Sequence, residues 1–143
     1  VHAWDVSPEA LEVARRNACR NRVHVHFQQV DALQKTWPSL SIDVLVSNPP
    51  YITEKERGGM ERNVLDWEPE LALFVPDNDP LLFYRHIARI GLDLLSPSGT
   101  LYYEINRAYG AETVSLLQQL GYRSVELRKD LSGNDRMIKA VKP

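Results

Sequence analysis

Ile42-Asp43-Val44-Leu45-Val46-Ser47-Asn48-Pro49-Pro50-Tyr51 is an apolar run that stops at a serine and turns on two prolines. Residues Ile42 to Val46 read as a buried strand. Neither proline has an N–H to give and both fix φ, so the chain is predicted to leave the sheet in a stiff, extended turn with outward carbonyls. Asn48 adds one acceptor oxygen and two donors, and Tyr51 adds a flat apolar face. Together they suit a planar nitrogen group, an amide or an exocyclic amine. An ordinary strand-to-loop turn uses the same residue types; the placement of Asn before and Tyr after, directly behind a strand, favours a binding corner.

Length and composition bound what surrounds this corner. The 143 residues suffice for one domain with one core, and 43% apolar with 25% charged residues is ordinary for a globular protein. No apolar run approaches the ~20 residues of a spanning helix, and the start, with His2, Trp4 and Asp5, lacks the pattern of a signal peptide. The expected location is the cytoplasm, with no membrane partner. Cys19 is the single cysteine and has no internal disulfide partner. A net charge of −2 weighs against a direct nucleic-acid partner.

Outward from the corner, strands and helices alternate. Val1 to Trp4 reads as a strand ended by Asp5, then Ser7 as N-cap and Pro8 at the first position of a helix running to about Arg20, with Leu11, Val13, Ala14 and Ala18 on its apolar side. Val23, Val25 and Phe27 alternate with His24, His26 and Gln28 in a strand that ends at Asp31. Its two histidines share a face, but no third ligand stands at suitable spacing, so no metal site is assigned. Periodicity fades from Ile52 to Asp79, a length that in a compact domain is disordered or functional; Trp67, its leucines and Phe74 argue for an ordered part that packs. Asp79 and Pro80 are predicted to cap a helix with Phe83, Ile87, Ile90 and Leu94 on one face, closed by Ser96 to Gly99. A strand over Leu101 to Ile105, a helix over Glu112 to Leu120 ended by Gly121, and strands over Tyr122 to Leu127 and Met137 to Val141 complete the chain. The predicted fold is α/β, a mostly parallel sheet with an antiparallel edge pair. Asp5, Asp31, Asn48 and Glu104 all fall at the carboxyl ends of strands, where open parallel sheets bind ligands.

Asn-Pro-Pro-Tyr behind a hydrophobic strand resembles the signature of S-adenosylmethionine-dependent methyltransferases that modify planar nitrogens. Further runs narrow the likeness: Asp5-Val6-Ser7-Pro8-Glu9-Ala10-Leu11, Val46 to Ile52, Glu68-Pro69-Glu70-Leu71-Ala72-Leu73, and Asp130-Leu131-Ser132-Gly133-Asn134-Asp135-Arg136-Met137. In this order they resemble the protein-release-factor glutamine N5-methyltransferase family over essentially the whole chain. The resemblance implies a Rossmann-like class I methyltransferase sheet, S-adenosylmethionine as methyl donor, and a class I peptide chain release factor as partner, methylated on the glutamine of its Gly-Gly-Gln loop.

It also implies roles. Asp5 binds the cofactor ribose, Asp31 and the backbone N–H of Ala32 bind the adenine, and Asn48 borders the cofactor as well. Asn48, Pro49, Pro50 and Tyr51 hold the glutamine amide: the Asn48 oxygen and the Pro49 carbonyl accept its N–H groups and return electron density to nitrogen, while Tyr51 stacks on its plane. Asp5 and Asp31 also suit plain Asx turns. In the resembled family a glycine-rich loop with its strand and helix precedes the position of Val1, and glycine is common where Asn106 stands. Residues 1–143 are therefore expected to be a single partial catalytic domain lacking its first strand and glycine-rich loop, impaired alone and prone to self-association through exposed strands. Two other readings stay open: a nucleic-acid amino methyltransferase acting on adenine or guanine, whose pocket has the same chemistry, and a noncatalytic binding module.

Overall fold

The computed structural model describes residues Val1–Pro143, which divide into two compact units, Val1–Pro38 and Ser39–Pro143.

The first unit is a strand, a helix and a strand. β1 (His2–Asp5) pairs in parallel with β2 (His26–Gln29), His2 opposite His26 and Asp5 opposite Gln29. Between them runs α1 (Pro8–Arg20), whose N-cap Ser7 accepts from the Ala10 N–H with Pro8 in the first turn, as the sequence predicts. Leu11 is its buried residue, but Val13 is 47% exposed and does not join an apolar face. β2 is also shorter than predicted. Asn21, Arg22 and Val23 spend their N–H groups closing the helix, on Asn17, Cys19 and Ala18, and Arg22 takes a positive φ of 53°. The strand therefore begins only at His26, leaving His24 outside it, so the two histidines do not share a strand face.

The second unit is built on a four-stranded sheet in the order β3-β6-β8-β7. β3 (Ile42–Ser47) runs parallel to β6 (Leu95–Glu104), and β8 (Asp135–Val141) lies between β6 and β7 (Arg123–Lys129), antiparallel to both. The predicted antiparallel pair thus forms one edge. α4 (Leu82–Leu94) buries Tyr84, Ile87, Ala88, Ile90, Gly91 and Leu94. These join Leu101, Tyr103 and Ile105 at β6, Ile138 and Ala140 of β8, and Leu117 of α5 (Gly110–Gln119) in the core. Gly121 follows α5 at φ 94°, the left-handed cap that glycine adopts without strain.

β3 is not the fully buried strand its composition suggests. Val44 is 54% and Val46 71% exposed, and Tyr102, opposite Val46, is also exposed, whereas the alternate residues Leu101 and Tyr103 are buried. Only one face of this part of the sheet carries the helical layer. β6 starts six residues before the predicted Leu101: Ser96 to Gly99 continues the strand through an irregularity opposite Asp43. Gly99 is required there, because a Cβ would lie 2.9 Å from the Ser96 carbonyl oxygen. Asp79 does not cap α4, which starts at Leu82 with Leu81 as N-cap; its carboxylate instead takes the Arg85 guanidinium in two bonds of 2.8 and 2.9 Å.

The stretch from Ile52 to Asp79 is ordered. β4 (Ile52–Thr53) pairs in parallel with β5 (Phe74–Val75), and a 3₁₀ turn (Glu54–Gly59), α2 (Arg62–Trp67) and α3 (Glu70–Leu73) lie between. Its packing is uneven. Val75 is buried and Phe74 holds the Arg57 guanidinium 4.0 Å above its ring, but Trp67 is 85% and Leu71 66% exposed, against the expectation that the tryptophan and leucines pack.

Candidate active site

Within the first unit, parallel pairing brings Asp5 and Asp31 to the same end of the two strands. Each carboxylate makes an Asx turn: Asp5 Oδ1 accepts from the Ser7 N–H at 2.8 Å and Asp31 Oδ1 from the Leu33 N–H at 2.8 Å. Each turn engages Oδ1, and neither Oδ2 makes a hydrogen bond. Ala32, which follows Asp31, is half-buried.

Within the second unit, Ser47 lies opposite Tyr103, so Asn48 and Glu104 leave neighbouring parallel strands at one end. Asn48 is exposed, Pro49 buried, and Pro50 and Tyr51 half-buried. The backbone of Tyr51 does not hang free. Its N–H donates to the Leu73 carbonyl at 3.2 Å, extending the ribbon of β4 and β5, and its carbonyl accepts from the Asn106 side chain at 3.0 Å. Its phenol donates to Glu104 Oε1 at 2.9 Å. Burial, then the Glu104 carboxylate that this hydroxyl faces, push the phenol above its ordinary value, with Arg136 opposing. Tyr51 is thus a neutral ring fixed at three points.

The groups behind Tyr51 form a continuous polar chain. Asn106, 4% exposed, also donates to Glu56 Oε1 and Oε2 at 3.1 and 2.9 Å, accepts from the Ala108 N–H at 2.9 Å, and gives its own N–H to the Tyr84 hydroxyl at 3.0 Å. Tyr84 in turn accepts from the Tyr103 hydroxyl at its carbonyl, 2.9 Å away. Glu56 Oε2 takes both the N–H and the hydroxyl of buried Thr53, at 2.9 and 2.8 Å. Burial pushes the Glu56 carboxyl up, but the Thr53 and Asn106 donors outweigh it and hold the group below its usual value. Thr53, Glu56 and Tyr84 are absent from the sequence-based set. Thr53-x-x-Glu56 is a capping-box spacing and a usable signal; Tyr84, in the first turn of α4, gives none.

Comparisons with known proteins bear on the chain as a whole. The Methyltransferase small domain family matches residues 1–65. The chain is 51% identical over 98% of its length to the release factor glutamine methyltransferase of Bacteroides thetaiotaomicron, and 48% identical over 97% to that of Flavobacterium psychrophilum. Nearly the whole chain is thus similar to part of the release factor glutamine methyltransferases. It spans about half the length of the curated relatives it matches, 51% and 49% of these two. Among solved structures it resembles a methyltransferase from Pyrococcus furiosus, with TM-score 0.70 and 21% identity over 99% of this chain and 62% of that one. A SAM-dependent O-methyltransferase from Thermotoga maritima gives TM-score 0.66 and 15% identity over 99% of this chain and 49% of that one. The fold is that of class I S-adenosylmethionine-dependent methyltransferases, α/β with parallel strands and an antiparallel edge.

Proposed function

We propose that residues 1–143 are a single partial catalytic domain of an enzyme that transfers a methyl group from S-adenosylmethionine to the side-chain amide of the glutamine in the Gly-Gly-Gln loop of a class I release factor. The observation that carries this reading is the corner itself: an exposed carboxamide, Asn48, beside an aromatic ring, Tyr51, held at three points. The relatives' names give the acceptor.

An amide nitrogen is a weak nucleophile because its lone pair is shared with the carbonyl. Donating its N–H groups to the Asn48 side-chain oxygen and the Pro49 carbonyl restores density to nitrogen and disperses the charge that grows as the N–C bond forms. Tyr51 lies against the amide plane and fixes the angle of approach, and Pro50 keeps the turn rigid. The N–C bond would form as the bond from the methyl carbon to sulfur breaks, leaving the demethylated cofactor, and one amide N–H proton would pass to solvent once the bond has formed, so the work of the corner is orientation. Asp5, through the carboxylate oxygen its Asx turn leaves over, suits the two ribose hydroxyls of the cofactor, and Asp31 with the Ala32 N–H suits the adenine edge. The cofactor, when bound, supplies an electrophilic methyl on a sulfonium.

Labelled S-adenosylmethionine, a class I release factor and the gene product that contains these residues are expected to give label on that glutamine, located by peptide mapping. Asn48→Ala should reduce the rate at least a hundredfold. Label on RNA with none on release factor would transfer the reading to nucleic-acid amino methylation, and an unchanged rate in Asn48→Ala would remove the corner from the reaction.

A further inference from the structure

We propose that Asn106 is a positioning residue, whose carboxamide fixes Tyr51 in the orientation that methyl transfer requires. The inference rests on the function proposed above and adds a residue to it. The Asn106 NH₂ group has two hydrogens and two acceptors to serve, the Tyr51 carbonyl at 3.0 Å and the Glu56 carboxylate at 2.9 and 3.1 Å. Its oxygen is committed to the Ala108 N–H and its backbone N–H to Tyr84, so the side chain cannot turn without losing several bonds. Such a residue, buried and fully bonded, is a rigid strut.

The geometry explains why the strut matters to Tyr51. The ring hangs on the backbone between two prolines' stiff exit and the ribbon of β4 and β5, and its tip is tied to Glu104. Remove the bond to the carbonyl and Tyr51 keeps only its ties to Leu73 and Glu104, so the backbone that carries the ring loses one of its three fixed points. The charged groups around Asn106 are Glu56 and, facing Glu56, Arg107, with Glu104 and Arg136 on the Tyr51 side. Glu56 and Glu104 only accept, and Arg136 is bonded to Asp130 at 3.2 Å.

The decisive variant is Asn106→Asp. It keeps the oxygen that caps Ala108 and the size of the side chain, but replaces the donor with an acceptor that opposes both Glu56 and the Tyr51 carbonyl. Asn106→Ala serves as the second variant, removing the strut without adding charge. In the gene product containing this chain, both are expected to lower kcat tenfold or more while the KM for S-adenosylmethionine stays within twofold. In Asn106→Ala, the phenol of Tyr51, followed by NMR with carbon-labelled tyrosine, should titrate closer to the ordinary value of about 10 than in the parent. A parent-like kcat in both variants, or a Tyr51 titration that does not move in Asn106→Ala, overturns the proposal. The titration needs no substrate, so Asn106 can be tested even if the glutamine reading fails.

Discussion

The first 38 residues and the rest of the chain each lay a helix against parallel strands, yet they are stabilised very differently. Val1–Pro38 buries one apolar side chain completely, Leu11, under two strands of four residues. Ser39–Pro143 has a continuous core running through Tyr84, Ile87, Leu94, Leu101, Tyr103, Ile105, Leu117 and Ile138. A two-stranded sheet is marginal by itself, whereas a longer sheet under two helices is not. The residues suited to the cofactor, Asp5 and Asp31, therefore stand on the thinly cored unit, and those suited to the acceptor amide on the thickly cored one. On the proposed reading, cofactor binding to the first unit would supply ordering energy that the second unit obtains from its core.

The contrast is broken most sharply by deleting the same side chain in each unit. Leu101 is completely buried in β6, between strands that cannot close on a void. Leu101→Ala is expected to cost about 3–5 kcal/mol of the second unit's stability, read by urea unfolding of β6 and β8 amides in hydrogen exchange. A loss below about 1 kcal/mol would mean that the sheet is not the centre of the core.

A smaller effect follows from the tyrosines. Burial pushes the hydroxyls of Tyr84, Tyr103 and Tyr122 well up, and all three belong to the second unit. Their folded values exceed the unfolded value near 10, so above pH 10 the unfolded chain binds fewer protons and folding loses ground as pH rises. Each such tyrosine costs about 1 kcal/mol per pH unit until its folded value is reached. The second unit should therefore unfold cooperatively in alkali while the first shows no matching transition. Tyr103→Phe removes one of these groups and should weaken the alkaline slope.

These differences also mark what could be read from the sequence. The corner at Asn48 to Tyr51, the Ser7 and Pro8 helix start, and the antiparallel pair of β7 and β8 are encoded by neighbours in the chain, through fixed φ, a side-chain cap and period-two alternation. The exposure of Val44 and Val46 is not, because a strand's composition cannot tell whether one face or two will be covered. Nor is the cluster around Asn106, whose partners Tyr51, Glu56 and Tyr84 lie 55, 50 and 22 residues away. His24 was misplaced for a local reason: closing α1 used the residues that alternation had assigned to β2.

The mildest test is Leu11→Ala in the first unit. The same three carbons are lost as in Leu101→Ala, but Leu11 packs between one helix and two four-residue strands that can move inward, so little cavity persists. Alanine also favours the helix slightly, offsetting part of the loss. The expected cost is about 1 kcal/mol, seen as a severalfold faster hydrogen exchange at the amides of β1 and β2. An effect as large as that of Leu101→Ala would show that the first unit is cored as deeply as the second, and the argument that cofactor binding has to order it would fall with that result.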